Sequence, residues 1–83
     1  MAVELFHRGR FHPLPGATSR KIGPNAYEVR VPRTDESKKV SRREHTAEAW
    51  DDAVFSIDGV QTEPGLGSGE TDAYIAVTVL VLS

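Results

Sequence analysis

Cysteine is absent from the 83 residues of the chain. This absence excludes disulfide bonds, a catalytic thiolate and every zinc site built on cysteine ligands. Long apolar runs are missing too, because no stretch approaches the roughly 18 residues that a membrane-spanning helix needs. Charged residues already occur at Glu4 and Arg8, so the N-terminus lacks the apolar run that forms the core of a signal peptide. We therefore expect a cytoplasmic protein that makes no membrane contact.

Lysine and arginine are missing from the second half of the chain. All ten lie within positions 1–43, alongside four acidic residues, which gives this half a net charge of +6. Positions 44–83 hold eight acidic residues and a net charge of −8. Such a split indicates either binding through charge complementarity or two halves that neutralise each other within the fold. Both interpretations stay open at this point.

The composition is that of one small globular domain. An apolar fraction of 39% and a charged fraction of 27% are typical of globular chains, and 83 residues permit one core. We expect a single domain over 1–83 with an N-terminal strand or arm at 1–12. Prolines and glycines predict an irregular loop at 13–24 and a glycine-rich loop at 63–72.

Three segments predict strands of a small antiparallel sheet. Residues 27–31 alternate apolar and charged side chains, and residues 74–82 (YIAVTVLVL) are rich in β-branched types without charge, proline or glycine. Residues 38–44 have Val40 as their only apolar member and predict a basic edge strand. The expected fold class is α+β, a small antiparallel sheet of about 3–5 strands with one helix packed on one face. An all-β sandwich or barrel is the alternative.

The segment after residue 45 can be a helix or a hairpin. Thr46 is a plausible N-cap, and an apolar stripe follows at helical spacing, which predicts a helix over 47–58. That stripe consists of Ala47, Trp50, Val54 and Ile57. The competing interpretation is a hairpin around Asp58-Gly59, a pair that favours a tight turn. We expect the helix, and whether 54–62 is a helix end or a hairpin stays open.

The terminal segment 74–82 has two apolar faces. Ile75, Val77, Val79 and Val81 share one face, and Tyr74, Ala76, Thr78, Leu80 and Leu82 share the other. Each large apolar side chain left in water would forgo about 1.5–3 kcal/mol, and one helix covers only one face of a sheet. Either the apolar residues of the N-terminal segment fold over the second face or another chain covers it.

Residue types used in catalysis are present, but their spacing matches no catalytic or metal-binding motif. His7 and His12 flank Arg8 and Arg10, whose positive charge would repel a metal cation. The glycine-rich segment 65–69 precedes a strand, whereas phosphate-binding loops precede a helix. We predict no catalytic residues, no metal site, no cofactor and no enzymatic activity.

The leading functional hypothesis is a non-enzymatic protein-binding module, either a self-associating subunit of a homo-oligomer or a small inhibitor or adaptor. The alternative is nucleic-acid binding through a basic hairpin at 30–43. No small-molecule substrate is evident. The candidate partner-binding residues are the basic side chains of 30–43 and part of the terminal strand: Arg30, Arg33, Lys38, Lys39, Arg42, Arg43, Tyr74, Ile75, Val77, Val79 and Val81.

Overall fold

The computed structural model describes residues 2–82. Within them the strands are β1 (Val3–His7), β2 (Arg10–Pro13), β3 (Thr18–Gly23), β4 (Ala26–Pro32), β5 (Phe55–Ile57), β6 (Val60–Glu63), β7 (Ser68–Glu70) and β8 (Tyr74–Val81). The one helix in this range is α1 (Asp35–Ser41), and a single 3₁₀ turn spans Glu48–Trp50. The domain is α+β as predicted, but its antiparallel sheet has eight strands rather than three to five. No helix in the described range has the length and apolar character to cross a membrane.

The terminal strand β8 lies at the centre of the sheet. The strand order is β2-β1-β5-β6-β8-β4-β3, and β7 pairs with β8 outside this path. On one side β8 pairs with β4 over its length, from Ala26 opposite Leu80 to Pro32 opposite Tyr74. On its other side β6 pairs with the last part of β8 and β7 with the first part. The strands predicted at 27–31 and 74–82 are therefore confirmed, and both are neighbours in the sheet.

The sheet curls around one core, and the N-terminal strand closes it. Ile75, Val77 and Val79 of β8 are buried in a single cluster with Val3 and Leu5 of β1. Buried residues of β4, β5 and the connecting segments complete it: Leu14, Val29, Val31, Trp50, Ala53, Phe55 and Ile57. The N-terminal segment thus covers the inner face of β8 within the same chain. The expectation that it would fold over the second face is wrong, because the side chains of that face, Tyr74, Ala76, Thr78 and Leu80, are only half-buried.

Two segments expected to be loops contain strands. Residues 13–24 were expected to be irregular, yet Thr18–Gly23 forms β3, which pairs with β4 and has a register shift between Lys21 and Gly23. The glycine-rich segment 63–72 contains β7, whose three residues pair with the part of β8 that β6 does not reach. In both cases an available neighbouring strand outweighs weak local propensity. The expected N-terminal strand is the hairpin β1–β2, and Met1 lies outside the described residues.

The basic edge strand predicted at 38–44 is wrong, because residues 35–41 form α1. Thr34 caps the helix by accepting a hydrogen bond from the Ser37 amide (3.2 Å), and Arg42 ends it in the left-handed conformation with φ of 57°. The buried face of α1 presents Ser37 and Ser41 rather than large apolar residues. A hydrophobic pattern could not reveal such a helix, since its two fully buried side chains are polar and its one apolar residue, Val40, is only partly buried against the core.

The helix predicted over 47–58 is also wrong, and the competing hairpin is correct. The Thr46 hydroxyl does accept a hydrogen bond from the Ala49 amide (3.3 Å), but helical structure stops after the 3₁₀ turn Glu48–Trp50. The chain then forms β5 and β6 around Asp58-Gly59, whose φ angles of 50° and 86° are the two positive values of a type I′ turn. β-Branched and aromatic residues in 54–57 favour this strand.

Candidate functional site

The apolar candidates of the terminal strand divide between the core and the surface. Ile75, Val77 and Val79 are at most 1% exposed, so they stabilise the domain and offer nothing to a partner. Tyr74 is half-buried beneath the Arg30 guanidinium, which lies 4.6 Å from the ring centroid. Val81 is half-buried and lies where β8 ends at an open cavity.

The basic candidates of 30–43 do not present six unpaired charges to a partner, because four of them make ion pairs. Arg30 pairs with Glu28 (2.8 Å) on the same strand. The other three pair with acids of the second half: Arg33 with Glu70 (3.8 Å), Lys38 with Glu44 (3.1 Å) and Arg43 with Asp52 (2.5 Å). The two halves of the chain thus neutralise each other in part. Lys39 and Arg42 make no ion pair within residues 2–82.

Arg43 connects the end of α1 to the 3₁₀ turn. Its Nη1 donates to the Ala49 carbonyl (2.6 Å) and to the Asp52 carboxylate, and its guanidinium lies 5.5 Å from the centre of the Trp50 ring. The hydrogen bond from Arg43 holds the pKa of Asp52 below its usual value. Trp50 is fully buried, stacks on Phe55 and donates from Nε1 to the Glu44 carbonyl (3.0 Å). Arg43 is therefore a structural residue.

An open cavity at one end of the sheet is the candidate functional site, here called the mouth. Because the sheet curls, β3 and β4 face the hairpin β5–β6 across a cavity of about 350 Å³. Its lining consists of Ser19, Lys21, Tyr27, Ile57, Asp58, Val60, Thr62 and Val81. The volume lies at the small end of the range for binding pockets in proteins, which is about 300–1,000 Å³.

An exposed apolar side chain lines the mouth. Val60 belongs to the lining and is 46% exposed. Ile22 and Leu82 are 48% and 46% exposed, but each directly follows a lining residue in extended chain, where successive side chains point to opposite faces, so neither belongs to the mouth.

The mouth carries one positive and one negative side chain. Lys21 makes no ion pair within residues 2–82, and the Asp58 carboxylate accepts a hydrogen bond from the Ala2 amide (2.8 Å). The Thr62 hydroxyl is satisfied by the backbone of Phe55, from whose amide it accepts and to whose carbonyl it donates, both at 3.1 Å. Charges of both signs beside apolar walls suit a ligand that is itself amphipathic.

The described residues show no arrangement typical of metal binding. Within 2–82, no group of three or more histidine, aspartate or glutamate side chains is placed to hold a metal ion. His7 and His12 lie beside each other, with ring centroids 5.8 Å apart. Their neighbours are arginines rather than carboxylates.

Comparisons of the chain with models of protein families, with curated proteins and with solved structures found no match. The function must therefore be argued from the geometry of this molecule.

Sequence reasoning missed most of the mouth. Of its lining, only Val81 was among the predicted partner-binding residues. The Asp58-Gly59 signal for a tight turn was visible in the sequence, and it would have placed Val60 beside an exposed turn. Lys21 and Ser19 had no such signal, since their segment was expected to be a loop.

Proposed function

We propose that this chain is a non-enzymatic protein-binding module that self-associates through the mouth. The observation that supports the proposal is the exposed side chain of Val60 in the lining of an open cavity at the end of the terminal strand. Burying the apolar part of this lining would remove apolar surface from water at a gain of about 25 cal/mol per Å².

A second copy of the chain is the occupant that the charges favour. A two-fold symmetric interface places the same surface on both subunits, so a self-complementary surface must carry both signs of charge. Lys21 and Asp58 line the same mouth, and a two-fold axis there would bring Lys21 of each protomer towards Asp58 of the other. The exposed Val60 side chain of each protomer would lie beside these two pairs.

A dimer formed through the mouth must also contact the turns beside it. A stable interface buries about 800 Å² on each partner, which is about one sixth of the 4905 Å² accessible surface of residues 2–82. The lining alone is too small, so the turns at 23–26 and 58–59 would also contact the partner. The turn at 23–26 belongs to the same end, because the Val81 amide donates to the Asn25 carbonyl (2.7 Å).

The proposal is tested by measuring molecular mass over a range of concentrations. At low salt, sedimentation equilibrium of the unchanged chain should give a dimer that dissociates on dilution. Val60→Asp should give a monomer, because it places a carboxylate in the apolar contact and beside Asp58. Lys21→Glu should weaken the dimer by removing the positive member of each charge pair, and added salt should weaken it too.

Leu66→Asp is the matched control for Val60→Asp. Leu66 is 50% exposed and does not line the mouth, so the substitution adds the same charge at a similarly exposed apolar position. This variant should remain dimeric. A monomer at every concentration of the unchanged chain, or equal effects of the two aspartate substitutions, would refute self-association through the mouth.

A further inference from the structure

The curled sheet has three strand edges to which another chain could be added. Strands β2 and β3 are the two ends of the strand order, and β7 pairs with β8 alone. At the edge of a sheet, backbone N–H and C=O groups point away from the ladder, and an extended segment of another chain can pair with them. The three edges differ in length, in what lies beside them and in charge.

The β7 and β2 edges are poorly suited to an added strand. The residue before the 3₁₀ turn lies along β7, because the Ser68 hydroxyl donates to the Ala47 carbonyl (2.5 Å) and the Ala47 amide donates to the Glu70 carboxylate (3.0 Å). β2 has only four residues and ends in Pro13, whose nitrogen carries no hydrogen to donate. One of these edges is therefore covered and the other is short.

The β3 edge is longer and contains no proline. Its six residues pair with β4 on one side, and no other strand among residues 2–82 pairs with the opposite side. Most of its side chains are exposed, including Ile22 at 48%. A strand added beside β3 would therefore form a ladder of backbone hydrogen bonds and also cover an exposed apolar side chain.

Basic side chains lie on both faces of β3. Lys21 lines the mouth on the inner face and makes no ion pair within residues 2–82. Arg20 points to the outer face, because successive side chains of a strand alternate. Its side chain is 65% exposed and contacts Glu28 (3.3 Å), but this carboxylate also accepts a shorter hydrogen bond from Arg30 (2.8 Å). One carboxylate thus serves two arginines, so β3 carries an excess of positive charge.

These charges oppose pairing between the β3 strands of two copies of the chain. In a symmetric antiparallel pair, the residues at the middle of each strand lie opposite each other. Each central register would place Arg20 or Lys21 opposite one of the same two residues of the other copy, and like charges directly opposite destabilise a sheet. Charged edge strands prevent self-pairing in this way. The same charges attract a strand that carries carboxylates.

We propose that the β3 edge binds an extended acidic segment of a partner protein, which adds a strand to the sheet beside β3. Opposite residues of neighbouring strands share a face. The partner segment would therefore carry two adjacent acidic residues, one opposite Arg20 on the outer face and the other opposite Lys21 on the inner face. Backbone pairing supplies affinity, and the two charges select the partner. This edge does not depend on self-association, since Arg20 does not line the mouth.

The first experiment measures the affinity of a fluorescently labelled synthetic peptide by anisotropy. The peptide has about eight residues, enough to pair with the whole of β3, and contains two adjacent glutamates among β-branched residues. Arg20→Glu should weaken its binding about tenfold, because a repulsion across the strand pair replaces an attraction. Of two further peptides, each with a different one of the glutamates changed to lysine, one should restore binding to this variant.

Arg10→Glu is the matched control for Arg20→Glu. Arg10 is exposed, makes no ion pair within residues 2–82 and lies on the other end strand, β2. The same reversal of charge there should leave the affinity within about twofold of the unchanged value at physiological salt. Both variants are made in the Val60→Asp background so that self-association does not contribute. Equal weakening by the two substitutions, or no binding of the peptide, would overturn the proposal.

The second experiment tests whether the peptide pairs through its backbone. In a β-ladder, alternate residues direct their N–H and C=O groups towards a given neighbour. Methylating the peptide nitrogens at every second residue should therefore abolish binding in one of the two possible patterns and largely preserve it in the other. Both methylated peptides keep the same side chains. Equal affinities of the two would mean that charge alone does not act through strand addition and would refute the proposal.

Amide hydrogen exchange locates the bound peptide on the protein. Saturating peptide should slow the exchange of those β3 amides that do not bond to β4, while the amides of β2 keep their rates. Slower exchange in β2 with none in β3 would place the peptide at the wrong edge. In the Val60→Asp background without peptide, protection of the β3 edge that rises with protein concentration would identify a second copy as the occupant. Either result would overturn the proposal.

Discussion

Hydrogen bonds satisfy polar side chains that would destabilise this small domain if they were left unpaired. Arg43 bonds to Ala49 and Asp52, and Trp50 Nε1 bonds to the Glu44 carbonyl. Two buried polar atoms among residues 2–82 lack such a partner, the Ser37 hydroxyl and Nε2 of His45. An unsatisfied buried polar group costs about 1–3 kcal/mol, which is a sizeable fraction of a small domain's stability.

Ser37→Ala should therefore stabilise the protein. The substitution removes the unpaired hydroxyl and puts a better helix former inside α1, so the free energy of unfolding should rise by about 1 kcal/mol. Urea denaturation measures this change.

Ser41→Ala, one turn further along α1, provides the comparison. Its hydroxyl is also buried but accepts a hydrogen bond from the Arg43 amide (3.2 Å), so this change should lower stability. If both substitutions shifted stability in the same direction, the lack of a partner at Ser37 would not be the determining factor.

At the scale of elements, the hairpin β5–β6 links the core to the mouth. Phe55 and Ile57 are buried on the inner side, while Val60 reaches the mouth. The turn between the two strands sets their register, with Ile57 opposite Val60. A type I′ turn needs positive φ at both central residues, and Gly59 adopts 86° without steric cost.

Gly59→Ala should lower the free energy of unfolding by about 1–2 kcal/mol, because an L side chain is strained at this φ angle. An added Cβ would meet no atom within 4 Å, so the expected loss comes from the backbone alone.

Gly69→Ala in β7 is the control, since Gly69 has no positive φ and also has open space around its Cβ position. Its stability should stay within about 0.5 kcal/mol of the unchanged chain. Thermal unfolding of the two variants side by side measures the difference, and equal stabilities would argue against a strained turn at Asp58-Gly59.

At the scale of the whole molecule, one short N-terminal strand joins the two ends of the domain. β1 seals the inner face of β8 through Val3 and Leu5, begins beside the mouth and ends at the turn Arg8-Gly9, which leads into β2.

Leu5→Ala tests whether β1 is essential to the core. Leu5 is fully buried, and truncation of such a side chain costs about 2–5 kcal/mol. We expect a large loss of stability, measured by chemical denaturation.

Phe6→Ala, at the next position, should cost far less because Phe6 is 43% exposed. Similar losses for the two variants would mean that β1 does not pack with its alternate side chains inside the core.

Local pattern alone determined the strands at 27–31 and 74–82 and the need to cover the terminal strand. Alternation and β-branched composition act between near neighbours, so they can be read directly from adjacent residues. The same pattern marked Asp58-Gly59 as a possible turn but could not choose between hairpin and helix for the residues before it. It also left α1 undetected, because the buried positions of that helix are Ser37 and Ser41.

Only the tertiary structure decided what covers the terminal strand and where the charges lie. Leu5 of β1 pairs with Phe55 of β5, and the positive charge of Arg42 helps to lower the pKa of His7. Both interactions join residues that are far apart in the chain. Of the mouth, the sequence singled out Val81 alone, and it placed Arg42 on a hairpin that does not form. Long-range pairing brings such residues together, and its energy depends on the whole sheet rather than on any local pattern.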